Sequence, residues 1–503
     1  MRGKRAIVNS IMSLLQELVS IVCAFILPRL ILSTFGSKYN GLTTSVTQFL
    51  SCAVLLRAGI GGATKAALYK PIALGDVDEI NGIVKATDLF MKKVGLILVG
   101  LILIFSATYP ILVRNEFDWL FTFSLFLIIG ASTFAESFFG ITYEIVLHAF
   151  QNYWFPSLLK SVCTVLNTGV ATVLILCGCS IHVVKLGSAL IFVIYPIIQS
   201  IYVKKKYHIN TDVIPNTKAI KQRWDAFWHQ VADFVMNNTD VMVLTVFTDM
   251  LEVSVYSVYN LIANGLKRSV LAFSRGLESA FGDMIAKDEK ELLATNVKIA
   301  ESIVYSVSTI LYSCAAVLIL DFVAVYTKKI DDVEYVRPLF AYLLVTAGFF
   351  YGIRLPYQLV VQAAGHYRQT KCGAIIEPII NISVSVVLVF EFGIVGVAVG
   401  TLVATVFRTV QYSLYMCRNI VVRSGWISFS RILVALCEGL FVFICSKCVD
   451  FSFEVSYVGW ITKAVLTCAF CTTVVLAGNF LFFRQDMINT WQKLRHLNRS
   501  HRN

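Results

Sequence analysis

The sequence predicts an all-α polytopic membrane protein. Of its 503 residues, 57% are hydrophobic and only 15% are charged, whereas soluble domains carry about 25% charged residues. The mean hydropathy is +0.73, and the apolar residues occur in runs of about 20, the length that crosses the hydrocarbon core as a helix. Short alternating strands, which are typical of outer-membrane barrels, are not apparent.

The apolar runs predict about 14 transmembrane helices. Their approximate extents are 7–33, 42–60, 94–113, 119–142, 157–178, 182–203, 231–249, 253–282, 301–325, 339–362, 372–391, 394–417, 429–449 and 456–483. The spans at 231–249 and 253–282 are the most polar. The polar segments after residues 60 and 203 are expected to form short surface helices.

Basic residues favour one set of connections between the spans. Lys204 to Lys206 lie in such a segment, and the C-terminal tail is basic as well. Because cytoplasmic loops are enriched in Lys and Arg, we expect both termini in the cytoplasm. This bias accounts for most of the net charge of +12 without a nucleic-acid partner.

The chain also repeats itself. The segment that begins at Tyr39, "YNGLTTSVTQFLSCAVLLRAGIGGA", resembles the segment that begins at Tyr256, and "FFGI" at Phe138 resembles "FYGI" at Phe350. Six spans separate the matching helices, so the copies share one orientation. This pattern predicts two six-helix lobes related by a pseudo-two-fold axis along the membrane normal, with two trailing helices.

The predicted organisation has five parts. They are an N-lobe at 1–205 (spans 1–6), a cytoplasmic linker at 206–230, a C-lobe at 231–417 (spans 7–12), spans 13 and 14 at 418–483, and a basic cytoplasmic tail at 484–503.

Several charges fall inside the predicted spans. At 1.5 Å per residue, Arg57 lies about 22 Å from Leu42. Charges at that depth are costly in lipid and are expected to face a bundle interior or a watery cavity. The basic candidates are Arg29, Arg57, Lys267, Arg268, Arg275, Arg354 and Arg408, and the acidic ones are Glu17, Glu136 and Asp240, with Glu377 as a further candidate partner for a cation.

Two interpretations of these charges are open. The acids pair with the cations inside the protein, or the cations bind an anionic ligand. Because the basic candidates outnumber the acids, we favour the second, and the planar guanidinium group suits phosphate oxygens. Tyr256, Tyr259 and Tyr351 are candidates for stacking on sugar rings, although packing is the stronger explanation for such tyrosines.

Several motifs carry a resemblance to a known family. They are "PRL" after residue 27, "FGSKYNGL" after residue 34, "GIGGA" after residue 58, "AAGHYRQT" after residue 362 and "GIVGVAVGTLVAT" after residue 392. In these motifs the chain resembles the bacterial polysaccharide flippases, the Wzx-type members of the multidrug/oligosaccharidyl-lipid/polysaccharide exporter superfamily. The resemblance implies cavity arginines in spans one, two and eight, where this chain has Arg29, Arg57 and Arg275.

The resemblance also implies a function. A flippase of this kind moves undecaprenyl-diphosphate-linked oligosaccharide units from the cytoplasmic to the outer leaflet by alternating access, for polysaccharide biosynthesis and lipopolysaccharide or capsule export. We therefore expect a transporter of the bacterial cytoplasmic membrane that contacts bilayer lipids and works beside a polysaccharide polymerase and assembly proteins.

The sequence does not predict an enzyme, a catalytic residue, a metal site or a cofactor. A proton or a sodium ion is the expected coupling ion, with Glu17, Glu136 and Asp240 as its candidate sites, and no G-x-x-x-x-G-K-[ST] motif suggests direct use of ATP. Two alternatives stay open: a drug/cation antiporter of the same superfamily, and a membrane-embedded polysaccharide polymerase or ligase.

Overall fold

The computed structural model describes residues 2–57, 60–210, 213–217, 223–274, 277–448, 456–488 and 491, and helices make up most of them. The first helices are α1 (Arg2–Phe35), α2 (Ser37–Leu50), α3 (Ala53–Leu56), α4 (Ile60–Leu74), α5 (Val77–Leu112), α6 (Trp119–Ala135), α7 (Ile141–Ala149), α8 (Trp154–Leu176) and α9 (Ile181–Tyr207). They are followed by α10 (Arg223–Phe247), α11 (Met250–Ser274), α12 (Leu277–Ala286), α13 (Lys290–Tyr326), α14 (Pro338–Ala363), α15 (Tyr367–Phe392), α16 (Ile394–Asn419), α17 (Gly425–Cys448) and α18 (Tyr457–Phe482). A π-helical turn, Glu136–Gly140, joins α6 to α7.

Local sequence sets several of the helix ends. Asp76 caps α5 by accepting a hydrogen bond from the Glu79 N–H, and Asp118 accepts from two amides at the start of α6. Ser456 does the same for Gly459 at the start of α18. Such side chains satisfy amides that have no partner within the helix, and they fix where these apolar helices begin.

The predicted membrane character is confirmed. Within the described ranges, eleven helical segments are long and apolar enough to cross a membrane, so the chain is a multi-pass membrane protein. The other three predicted spans, at 42–60, 231–249 and 253–282, correspond to α2–α4, to α10, and to α11 with the start of α12, which are shorter or more polar.

Two details differ from the prediction. The span predicted at 42–60 is broken, because α2 ends at Leu50 and α4 begins at Ile60. The segment at 63–93, expected to form short surface helices, holds most of the short helix α4, but its second part belongs to the first turns of α5, which begins at Val77. The Asp76 cap starts this helix before the apolar run that predicted the span.

The chain forms two compact units that part between Ser254 and Val255. In the first unit, an apolar cluster joins α2, α5 and α6 around Leu42, Tyr109 and Phe126. Polar groups inside it are paired: Tyr109 Oη donates to Ser45 Oγ at 2.7 Å, and Ser45 Oγ lies 2.6 Å from the Thr245 hydroxyl. These bonds join α2, α5 and α10 across residues far apart in sequence.

The second unit places its glycines where helices approach closely. A Cβ added at Gly373 of α15 would overlap the side chain of Gln411 on α16, and one at Gly400 of α16 would overlap Ser385 of α15. Gly393 turns the chain between these two helices with φ +52°, a conformation that glycine adopts without strain. This tight α15–α16 pair brings the charged side chains of both helices together.

The limits predicted for the lobes, the linker and the tail stay predictions.

Candidate functional site

In the first unit, Arg57 and Glu136 lie together. Arg57 Nη1 is 3.4 Å from Glu136 Oε1, and the two side chains are 21% and 42% exposed. The sequence predicts separate roles for them, substrate binding for Arg57 and ion coupling for Glu136. A partly exposed ion pair contributes little stability, so this pair can exchange its partners for a ligand at small cost.

Glu136 is the first residue of the π-helical turn. The Ile141 N–H donates to the Glu136 carbonyl, five residues back. Opposite this turn, Gly140 faces Pro196 of α9, and a Cβ at residue 140 would lie 2.7 Å from the Pro196 Cβ. Such turns often occur at functional sites within helices.

The other candidates of this unit are placed on their own helices. Arg29 and Glu17 are half-buried on α1, and Asp240 is buried on α10. Each has an interaction within the protein, and their predicted roles stay predictions.

In the second unit, Arg354 and Arg408 share one carboxylate. Arg354 Nη1 lies 2.6 Å from Glu377 Oε1, and Arg408 Nε lies 3.4 Å from Glu377 Oε2. The three residues come from α14, α16 and α15, and all are buried. The structure therefore places these two predicted ligand-binding arginines in an internal ion-pair cluster.

Further bonds hold this cluster in place. Arg408 donates to the Tyr412 hydroxyl at 2.7 Å and to the Thr370 carbonyl at 3.3 Å. It also donates to Gln411, the side chain that packs against Gly373. With these partners, the Arg408 guanidinium is fixed among helices that the glycines bring close.

Lys267 and Tyr351 extend the cluster. Lys267 Nζ lies 4.2 Å from the centre of the Tyr351 ring, and the Arg354 guanidinium carbon lies 4.6 Å from the same ring. Cations at this distance are attracted by the negative face of an aromatic ring. The named side chains carry three positive charges, on Lys267, Arg354 and Arg408, and one negative charge, on Glu377.

Two basic candidates remain. Arg268 on α11 is exposed, and it also interacts within the protein. Arg275 lies outside the described residues.

The three tyrosines proposed for sugar stacking differ in their surroundings. Tyr259 is fully buried, donates to the Tyr335 carbonyl and accepts from the Arg337 N–H. Tyr256 is buried beside Phe340. Tyr351 is half-buried between cations and is the one of the three suited to a ligand.

Sequence reasoning missed a second charged cluster. Glu301 of α13 is fully buried and pairs with Arg423, which lies before α17. Arg431 of α17 lies 3.7 Å from Glu301 and pairs with Asp486, beyond α18. Two arginines and two carboxylates join these helices, so the cluster is balanced in charge and structural.

An apolar cavity of about 330 Å³ lies in the second unit. Its lining includes Tyr312 of α13, Val345 and Phe349 of α14, and Leu436 and Leu440 of α17. All three helices are candidate membrane spans, and an apolar chain suits this lining. Among the residues that the structure describes, no group of His, Cys, Asp and Glu is arranged to hold a metal ion.

Comparison with known proteins identifies the fold. No family model and no curated protein sequence matches the chain, but solved structures do. The lipid II flippase MurJ in an inward closed conformation aligns with a TM-score of 0.72 at 14% identity, over 95% of this chain and 99% of that protein. The chain has the fold of this transporter.

Other transporters share the fold less completely. An inward-facing multidrug resistance MATE transporter of the MOP superfamily aligns with a TM-score of 0.60 at 14% identity, over 82% of this chain and 98% of its own. A MOP superfamily transporter from Pyrococcus furiosus aligns with a TM-score of 0.56 at 12% identity, over 84% of this chain and 97% of its own. At these identities the likeness concerns the fold.

Proposed function

We propose that this protein is a flippase that moves an undecaprenyl-diphosphate-linked oligosaccharide from the cytoplasmic to the outer leaflet by alternating access. The observation that carries the proposal is the full-length likeness to the lipid II flippase, which spans 95% of this chain. The transporter acts in the bacterial cytoplasmic membrane, with both termini in the cytoplasm, and supplies a polysaccharide polymerase on the outer side.

The charges of each unit support an anionic headgroup. In the first unit, the Arg57 side chain is partly exposed, and one carboxylate lies 3.4 Å from its Nη1. In the second, Lys267 Nζ and the Arg354 guanidinium carbon lie 4.2 and 4.6 Å from the centre of the half-buried Tyr351 ring. Diphosphate oxygens make stronger, charge-assisted bonds with such groups than neutral ligands do. Arg29, Arg268 and Arg275 stay candidates for the same role.

The apolar cavity supports a lipid-linked substrate. Its lining of Phe349, Leu436 and Leu440, among others, offers an apolar chain a surface within the candidate spans. The polyprenyl tail can stay in hydrocarbon while the charged headgroup crosses, because only the headgroup pays a large cost for leaving water.

A drug exporter is the second candidate, because MATE transporters share the fold. The MATE alignment spans 82% of this chain, against 95% for the lipid II flippase. A cationic drug would also meet a region where Arg354 and Arg408 share one carboxylate and Lys267 lies over the neighbouring Tyr351 ring. Both facts favour the flippase. The solved neighbours named above are all transporters, which speaks against a polymerase or ligase.

A reconstituted assay tests the proposal. The full chain is placed in proteoliposomes with undecaprenyl diphosphate that carries one labelled N-acetylhexosamine, and the label reaching the opposite leaflet is followed over time. We expect flipping above that of empty liposomes. The double variant Arg57→Gln/Lys267→Gln is expected to lower the initial rate about 10- to 100-fold, the loss of one or two charge-assisted bonds.

Lys287→Gln is the matched control, since Lys287 pairs with Asp283 on the exposed face of α12. It removes one exposed positive charge and leaves the rate near that of the wild type. A folded double variant that flips the probe at the wild-type rate contradicts the site. A wild-type protein that exports a cationic dye and leaves the labelled lipid in place contradicts the function.

A further inference from the structure

Glu438 is a buried carboxyl group that the proposed function does not use. It lies in the middle of α17, a candidate membrane span, and its relative exposure is 8%. Its Oε1 has no hydrogen-bond partner, and within the described part of the chain no basic side chain lies within 4 Å of the carboxylate.

The carboxyl group points into the junction of three helices. It borders a small void of about 10 Å³, lined by Tyr305 and Thr309 of α13, by Arg431 of α17, and by Asn479 at the end of α18. This space holds about one water molecule. A Cβ at Gly478 of α18 would overlap Glu438 Oε1, so the glycine makes room for the acid.

The charged and titratable groups around Glu438 already have partners. Arg431 pairs with Asp486 and approaches Glu301. From α13, the Tyr305 hydroxyl lies 2.7 Å from that of Tyr357 on α14. From α16, Cys417 contacts α17 at Ser428, near the start of that helix. The Glu438 carboxyl group therefore stands beside a balanced network without joining it.

A buried carboxyl group of this kind has two simple states. An ionised carboxylate without a paired cation is strongly disfavoured inside a membrane protein, whereas a carboxylic acid needs no counter-charge and supplies a hydrogen-bond donor. A metal cation is the less suitable occupant, because the void has room for about one water molecule and Arg431 also lines it.

We propose that Glu438 is a proton-binding site, which holds a proton while α13, α17 and α18 are packed together and releases it to water when this junction opens. The neighbouring turn of α17 lines the 330 Å³ cavity through Ala435 and Gly439, so a change in packing at the cavity reaches the carboxyl group through one helix. The proposal extends the proposed function, on which it rests, by naming the proton as the coupling ion and adding a site to Glu17, Glu136 and Asp240.

Infrared difference spectroscopy of the full chain in liposomes tests proton binding without any substrate. We expect a carbonyl band of a protonated carboxylic acid at neutral pH that is missing in Glu438→Gln. Asp283→Asn is the matched control, because Asp283 is exposed and paired with Lys287, and it keeps the band. A band that Glu438→Gln retains overturns the proposal.

Transport tests the coupling. A gradient of one pH unit changes the ratio of protonated to ionised carboxyl group about tenfold, so we expect the gradient to alter flipping of the labelled lipid severalfold in the wild type. In Glu438→Gln, flipping continues without responding to the gradient. Equal responses of the two proteins overturn the proposal.

The two tests also separate the proposals. A wild-type protein that flips no lipid contradicts the proposed function, while the infrared band still decides whether Glu438 holds a proton.

Discussion

Two arginine–glutamate sites, one in each unit, use the same chemistry in different surroundings. Arg57 and Glu136 are 3.4 Å apart and partly exposed. Arg354, Arg408 and Glu377 are buried, and the closest pair is 2.6 Å apart. Exposure decides what such a pair does: the first can exchange its partner for a ligand, whereas the second holds three helices in register.

The comparison also bears on charge. Arg57 and Glu136 balance each other, whereas Glu377 faces two guanidinium groups. The second cluster therefore has a net positive charge despite its internal pairing. Its Arg354 guanidinium group lies against the half-buried Tyr351 ring. The buried cluster thus fixes the position of Arg354, one of the guanidinium groups proposed to bind the headgroup.

The largest expected effect is the difference in folding stability lost when the glutamate of each site is replaced by alanine. Glu377→Ala leaves two buried guanidinium groups without a counter-charge, and we expect a loss of about 3–5 kcal/mol. Glu136→Ala breaks an exposed pair and costs about 0–1 kcal/mol. Thermal unfolding of both variants in detergent measures the difference.

An apolar replacement of the whole cluster sharpens this test. In Arg354→Met/Glu377→Leu/Arg408→Met no buried charge is left, and the triple variant is expected to be more stable than Glu377→Ala. Equal losses for Glu377→Ala and Glu136→Ala would show that burial does not distinguish the sites.

A smaller effect concerns the ring beside the buried cluster. Tyr351→Leu removes the face that attracts Lys267 and Arg354, and a cation–ring contact at a partly exposed site contributes about 0.5–1 kcal/mol. We therefore expect the KM for the labelled lipid to rise about 2- to 5-fold. Tyr351→Phe keeps the ring and the wild-type KM. An unchanged KM in both variants removes the ring from the site.

The smallest expected effect concerns how stability depends on pH through Glu116, a carboxyl group between α5 and α6 and outside the membrane spans. Burial raises the pKa of Glu116 above its usual range, and Asp249 raises it further, although the Met250 N–H donates to the carboxylate. The folded state then holds the proton to higher pH than the unfolded state, so this contribution to stability is present at low pH and is lost as pH rises.

Comparison with Glu116→Gln isolates this contribution. From about pH 4 upward, the melting temperature of the wild type is expected to fall relative to that of Glu116→Gln. A difference that stays constant or grows with pH contradicts the assignment.

The sequence predicted the membrane architecture because apolar runs report directly on the length of a span. It also placed Arg354 and Arg408 inside the spans, since depth follows from counting residues along a helix; for Arg57 the count does not apply, because the helix that begins at Ser37 ends at Leu50. Counting residues along a helix does not reveal which acids pair with these arginines. Glu377 was one of several possible acids, and nothing local links Glu301 to Arg423, which meet only because distant helices pack together.

Helix breaks were also hard to predict. Residues 42–60 are apolar enough to suggest one span, yet α2 ends at Leu50. Gly41 of α2 packs so closely against the first residue of α11 that a Cβ at this position would overlap the Met250 carbonyl. Packing of this kind depends on residues some 200 positions away in the sequence, so a local hydropathy pattern cannot predict it.

The π-helical turn at Glu136–Gly140 has a consequence for how this chain tolerates length changes. A π turn accommodates one residue more than the α-helical ladder does, so deleting a single residue there restores an uninterrupted helix. Because the π turn takes up this extra residue, the side chains on either side of the deletion keep their directions, whereas a deletion within the α-helical turns of α6 or α7 rotates one part of the helix by about 100° relative to the other. A deletion of one residue is therefore expected to be tolerated at Glu136–Gly140 and to disrupt packing in the turns beside it.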